Sequence, residues 1–587
     1  MEAYVVLHWR AYLERLRVIE EVTRHRGINR RKFLAGSAAL TGGVGLPNIG
    51  RRGLAQGIIS TLTIADRAQL GYFEQPRPLE VVPVHVAVGP NRQVTYFGTN
   101  QIGDQGAGQW YAKLNTRSGT SAIFANNTGV DRFCSSVGDT YGKVWTATGD
   151  LTINGGRNNA QNETTDYTWA NNQLVIGSSL SIFPRWYASA IPLSNGDTLI
   201  CGGNDAQGGT LQITPEIRTP SGAFVALYGA TNADAFGQDV NWWYPRGSEI
   251  PGTNGKIGLL TNEGTIYLLD PNANTGTDLG SIEQIFDTGN PGDYTLPFSA
   301  IRPGVWMGLR ANDTAMIVTW NGEVPSVQTQ SLSVIDQGLV ARSWSNLTVL
   351  PDGNVLINGG SFYNSLTDVA YQSIIYNPDD GLIRVGPSAL VPRLYHSVAF
   401  LDEDAYVWTG GGGSSSTGPD PTGYTLLQLP VPKSFSPTPN GTTIVGFQNP
   451  NGWGLIEANS ERWVPYYLFN AAGFRAQRPI IINDQQSNVT LGTVFTLELD
   501  TDAPVTAITA VRKTVTTHSF NTGQSFIKPS FMQAGGEITV GLPSDQSVMM
   551  PGSWMVYAWR PDPQNPNPNS PLGVPSSAKC IDVYNLA

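Results

Sequence analysis

Pro184-Arg185-Trp186-Tyr187, followed by Leu193-Ser194-Asn195-Gly196-Asp197-Thr198-Leu199-Ile200-Cys201-Gly202-Gly203, decides the fold. The stretch reads as an apolar strand, a tight polar turn, a second apolar strand and a glycine pair. The same design returns without a gap at Pro392-Arg393-Leu394-Tyr395 through Leu401 and Tyr406-Val407-Trp408-Thr409-Gly410-Gly411, an offset of 208 residues. Further copies end at Gly98, Gly149 and Gly359, so successive marker glycines stand 51, 53, 157 and 51 residues apart. The period is about 52 residues, and two degenerate copies around 254–261 and 314–320 fill the long gap, making seven.

A hairpin-bearing unit of this length cannot bury its faces alone and must stack against its neighbours. Seven of them predict an all-β chain with a seven-bladed kelch-type β-propeller over residues 56–470. A row of separate β-sandwich domains would not keep the glycines in register. Composition agrees: charged residues are only 14%, and 66 Gly and 39 Pro mark a chain rich in turns. Beyond 470, strand-like runs at 479–482, 494–499, 507–514, 537–542, 554–558 and 580–583 predict a C-terminal immunoglobulin-like (early-set) β-sandwich over 471–587.

Residues 1–55 carry ten Arg and Lys against four Asp and Glu, which leaves the rest of the chain at −16. Such a body repels nucleic acid and anionic lipid, and no 18-residue apolar run predicts a membrane span. The stretch Asn29-Arg30-Arg31-Lys32-Phe33-Leu34-Ala35, the Gly-rich segment 36–46 and Gly53-Leu54-Ala55 predict a twin-arginine signal cleaved near Ala55. The expected partner is the twin-arginine (Tat) export machinery, and the expected location is extracellular or in the cell envelope. A basic arm with an accidental arginine pair is the alternative.

An exported chain with Cys134, Cys201 and Cys580 can pair at most two thiols. Cys201 and Cys580 lie in apolar runs and read as buried strand residues. Cys134 differs: counting back fifteen residues from Gly149, Gly202, Gly359 and Gly410 reaches Cys134, Tyr187, Trp344 and Tyr395. Equivalent inner-strand positions in a propeller converge on its axis. The predicted mature chain has three histidines, His85, His396 and His518. His396 follows Tyr395, and strand neighbours point to opposite faces, so both can serve one site only where the backbone is irregular. His518, at the tip of a C-terminal hairpin, could reach down the channel. Two imidazoles, two phenols and a thiol suit copper above zinc or calcium.

With these motifs, Pro392-Arg-Leu-Tyr-His-Ser397 and Thr517-His-Ser-Phe-Asn-Thr522 above all, the chain resembles the radical-copper oxidases, the galactose oxidase and glyoxal oxidase family, and its glyoxal oxidase-like branch in particular. Glu461-Arg-Trp-Val-Pro465-Tyr-Tyr-Leu-Phe469 is similar to the family's Pro-Tyr-Leu-Phe segment. The resemblance implies that Tyr187 is an equatorial ligand of one copper ion, joined by a thioether to Cys134 as a protein-derived Cys-Tyr radical cofactor. It also implies that Tyr395 is the axial tyrosine and that His396 and His518 supply the nitrogens. For the aromatic group stacked over the cross-link, Trp306 and Trp344 are the candidates. The implied activity is two-electron oxidation of a small aldehyde hydrate, a primary alcohol or a glycan alcohol, with O2 reduced to H2O2. The alternative is a non-catalytic kelch propeller that binds glycan or protein at the cell surface.

Overall fold

The computed structural model describes residues 63–99, 110–139, 151–156, 162–205, 209–237, 241–276, 278–289, 297–310, 314–332, 342–361, 369–413, 447–448 and 455–584. The leader expected over 1–55, its arginine pair and the cleavage near Ala55 lie outside these residues, as does the marker Gly149. All of these described residues fall within one compact unit.

Seven antiparallel four-stranded blades are present. Their innermost strands are Pro83–Val88, Ser136–Asp139, Ser189–Pro192, Arg246–Glu249, Phe298–Arg302, Asn346–Val349 and Tyr395–Leu401. The chain is a β-propeller, with blades four and five formed by the degenerate copies. The seventh blade is built from both ends of the propeller: Tyr72–Phe73 pairs outside Asn459–Val464, with Tyr72 opposite Val464. This closure ties the first blade to the last through backbone hydrogen bonds, a link that apolar packing between blades alone would not provide.

The glycine pairs have a physical cause. Gly155-Gly156, Gly202-Gly203, Gly359-Gly360 and Gly411-Gly412 all have positive φ. A Cβ at Gly155 would sit 1.9 Å from the carbonyl oxygen of Arg185, and one at Gly359 would sit 2.6 Å from that of Arg393. Each of these pairs lets a neighbouring backbone come close where any side chain would block it.

The pairing corrects the repeat count in the last blade. The hairpin closes on Leu401 opposite Val407, so Gly410 still lies within the strand and the left-handed pair is Gly411-Gly412. The run Gly410-Gly411-Gly412-Gly413 made the marker ambiguous by one residue. Counted from the hairpin, five residues before the last paired residue, five blades hold Cys134, Tyr187, Tyr244, Trp344 and His396. The fourth position reached by counting is therefore His396, not its neighbour Tyr395.

The C-terminal sandwich sets a sheet ordered Ser487–Thr490, Lys579–Tyr584, Gly552–Arg560, Ala507–Arg512 and Phe526–Ile527 against a three-stranded sheet. Between them lies a core that includes Leu497, Ile508, Ile538, Trp554 and Ile581. Residues 479–482 make only an isolated bridge at Ile481, where a strand was expected. The sandwich sends one hairpin, Val515–Thr517 and Phe520–Thr522, into the propeller axis. Its first strand pairs antiparallel with Pro83–Val88 and its second parallel with Phe298–Arg302, joining blades one and five across the channel. At the base of this insertion Lys513, fully buried, donates to Gly89 O (2.7 Å) and Glu403 Oε1 (2.8 Å).

Candidate metal centre

The five residues of the register share one backbone feature. Cys134, Tyr187, Tyr244, Trp344 and His396 have φ of 55°, 65°, 42°, 65° and 68°. Such conformations cost on the order of 1–3 kcal/mol each for non-glycine residues and persist only where surrounding contacts enforce them. Hydrogen bonds from blade to blade do so here: Tyr187 N–H donates to Cys134 C=O (3.0 Å), and Tyr244 N–H to Tyr187 C=O (2.8 Å). The left-handed turn at His396 breaks the alternation of the strand, so Tyr395 and His396 both enter the channel.

The hairpin tip is strained in the same way. Thr517 pairs with Phe520 across a two-residue turn in which His518 (φ 46°) and Ser519 (φ 62°) are both left-handed, a geometry usually filled by Asn-Gly. The Thr517 hydroxyl donates to Val84 C=O (2.8 Å), and its oxygen lies 2.6 Å from His518 Nδ1. With its proton committed to the carbonyl, that oxygen accepts the Nδ1–H, which leaves the Nε2 lone pair facing the channel.

These elements bring the five sequence-predicted residues together. Cys134 Sγ lies 3.4 Å from His518 Nε2 and 3.8 Å from His396 Nε2, and the ligand atoms of the three lie within 4.8 Å of one another. Tyr187 Oη and Tyr395 Oη are 3.2 Å apart. All five side chains are buried. Burial, then the neighbouring His85, pushes His396 down to about 3, and burial with His396, His85 and Arg246 holds His518 well below its ordinary value. Both imidazoles are therefore neutral at physiological pH, the form that can ligate a metal. The set of two neutral nitrogens, two phenol oxygens and a thiol matches the donors that copper prefers.

The stacking aromatic group is neither expected candidate. Trp306 lies in the core between blades four and five and donates to Ser248 Oγ (2.6 Å), while Trp344 packs on Tyr395 at 4.4 Å and 53°. The ring parallel to Tyr187 is Trp243, with centroids 3.8 Å apart and planes 18° apart. Next to it, Tyr244 stacks on His518 (4.5 Å, 30°) and donates to Ser135 O (3.1 Å). Counting missed Trp243 and Tyr244 because blade four has Thr261-Asn262 in place of a glycine pair. The signal was the run Trp242-Trp243-Tyr244-Pro245-Arg246, which repeats the aromatic pair Trp186-Tyr187.

Residues 478–583 match the family described as Galactose oxidase-like, Early set domain. Two galactose oxidase sequences of Gibberella zeae are each 25% identical over 473 residues, covering 74% of this chain and 59% of theirs. The C-terminal sandwich is thus a galactose oxidase-like early set domain, and the chain is similar to galactose oxidases over most of its length. It spans under two thirds of the length of those galactose oxidases. In fold it is similar to a fungal alcohol oxidase of the AA5 family solved in complex with copper, at a TM-score of 0.68 and 22% identity, over 88% of this chain and all of that one. In this galactose oxidase-like chain, all three cysteines are buried, and Cys201 and Cys580 are free thiols. Burial pushes the last two up to about 12, which makes them inert.

Proposed function

We propose that the protein is a copper-radical oxidase acting on a primary alcohol or an aldehyde hydrate, with O2 as acceptor and H2O2 as product. The observation that carries this reading is the meeting of Cys134, His396 and His518 with the facing phenols of Tyr187 and Tyr395. His396 and His518 would hold the ion through Nε2, with Tyr187 and Tyr395 as oxygen ligands. Copper bound there would accept one electron and make a neighbouring hydroxyl more acidic.

The chain supplies the remainder. Removal of two electrons needs a second one-electron centre, and the Tyr187 phenol is that centre. A thioether from Cys134 Sγ to the ring carbon ortho to the Tyr187 oxygen would lower its oxidation potential. Its formation takes one hydrogen from the thiol and one from the ring, with O2 reduced to H2O2. Trp243 shields the ring from water. Tyr395, as phenolate, accepts the substrate hydroxyl proton. The carbon-bound hydrogen then passes to the oxidised Tyr187 oxygen.

The expected location, extracellular or in the cell envelope by the twin-arginine route, rests on Arg30-Arg31 and the small residues before Gln56. Aerobic copper treatment of the full chain followed by intact mass and peptide mapping tests the reading. Cys134 and Tyr187 are expected in one cross-linked peptide, two hydrogens light. An unmodified thiol at Cys134, or undiminished peroxide release by Cys134→Ser, would overturn it.

A further inference from the structure

Each imidazole of the candidate metal centre has one phenol ring lying nearly flat against it. For His396 it is the adjacent Tyr395, at 3.6 Å between centroids and 27° between planes. For His518 it is Tyr244, at 4.5 Å and 30°. The other rings around His518, those of Tyr187, His396, Tyr395 and His85, meet it at 89°, 88°, 66° and 58°. Among the described residues, Tyr244 is thus the ring that covers a face of this imidazole.

The two histidines reach the axis differently. His396 lies on the inner strand of its own blade, whereas His518 is carried in from the sandwich on the two-residue tip of a hairpin. The Thr517 hydroxyl meets Nδ1 at one point, and a single hydrogen bond leaves the ring free to tilt about it. A flat stack removes that freedom, because a tilted imidazole would drive its edge into the packed neighbour.

Tyr244 is itself buried and anchored at both ends. Its N–H donates to Tyr187 C=O (2.8 Å), and its hydroxyl donates to Ser135 C=O (3.1 Å), beside Cys134. Its left-handed backbone, at φ 42°, is costly for a bulky residue and persists because such contacts enforce it. Blades two, three and four therefore hold the ring as a fixed surface, and the incoming imidazole comes to rest on it.

We propose that Tyr244 is a positioning residue for the metal centre: its ring sets the plane of His518, and with it the direction of the Nε2 lone pair, while Thr517 sets the tautomer. This rests on the copper site proposed above and adds a residue outside the ligand set.

The test reads His518 first without metal, in the full chain labelled with carbon-13 histidine. The chain has five histidines, so the spectrum is sparse, and loss of one signal in His518→Gln assigns the Cε1–H of His518. Tyr244→Leu and Tyr244→Met are expected to move this signal downfield, out of the ring current of the phenol. Tyr244→Phe, which keeps the ring, is expected to leave it nearly in place. Copper is then titrated against a competing chelator. The two ringless variants are expected to bind about tenfold more weakly or worse, with altered copper hyperfine splitting in the electron paramagnetic resonance spectrum. Tyr244→Phe should keep most of the affinity and the wild-type spectrum. A purely structural role would lower Tm but leave the histidine signal and the copper spectrum of the folded protein unchanged, and that result overturns the proposal. So does a loss in Tyr244→Phe as large as in Tyr244→Leu. If wild type takes up no copper, the oxidase reading fails, and the metal-free signal alone decides the role of Tyr244: a shift in the ringless variants upholds it, and no shift overturns it.

Discussion

The ring of Trp243 lies parallel to that of Tyr187, 3.8 Å away, although the two come from different blades. An aromatic stack contributes about 0.5–1.5 kcal/mol beyond the area it buries, so it positions Tyr187 more than it holds the blades together. Trp243→Leu is therefore expected to fold with Tm lowered by only a few degrees. Its oxidised tyrosyl absorbance after copper loading should decay several-fold faster than in wild type. Stopped-flow spectra of the two proteins check this, and equal decay would remove Trp243 from the site.

Thr517 controls one imidazole through a single oxygen. Thr517→Val keeps the shape but removes the acceptor for His518 Nδ1–H and the donor to Val84. Loss of such an orienting partner lowers metal affinity by about 10- to 100-fold. Competitive titration with a copper chelator should show that drop, with the far-UV spectrum unchanged.

Gly359 has φ of 71°, and its Cβ would lie 2.6 Å from a backbone carbonyl of the next blade. Gly359→Ala meets both a left-handed backbone and a clash with main chain that cannot rotate away, so it should destabilise by about 2–4 kcal/mol. Urea unfolding measures it. An unchanged midpoint would mean that the blades are less tightly seated than the glycine pairs indicate.

Glu403 and Lys513 give the interface between propeller and sandwich an acid limb. Burial alone would raise the Glu403 carboxyl, but the Lys513 charge and the donors on Lys513 and Arg92 outweigh it and hold the group below its ordinary value of 4.5. A depressed carboxylate stabilises the fold above its unfolded value, and that stability is lost as pH falls below about 4.5. Glu403→Gln leaves Lys513 buried beside a neutral group, at a cost of about 3–5 kcal/mol at pH 7. Its stability should vary less between pH 5 and 3 than that of wild type, which unfolding curves across that range would test.

Much of this was legible in the sequence because it is local and periodic. The hairpin turns, the glycine pairs and the repeat of about 52 residues follow from backbone geometry that each segment carries by itself. Tyr187 was found the same way; Cys134 was reached from Gly149 although its blade carries the glycine pair at Gly155-Gly156, Tyr395 was reached by a count one residue off, and His396 and His518 stood out as two of the three histidines after residue 55. The error of one residue in the last blade arose where four consecutive glycines left the pairing to decide the register.

By itself, then, the sequence determined a seven-fold β repeat, a sandwich after it, and the handful of residues that meet on the axis. Tertiary structure alone decided that Tyr72–Phe73 closes the seventh blade and that Trp243 rather than Trp306 or Trp344 lies on Tyr187. The reason is physical. Repeats encode contacts within a blade, whereas contacts across the channel depend on how seven blades and an inserted hairpin pack around one axis, and no local pattern records that arrangement.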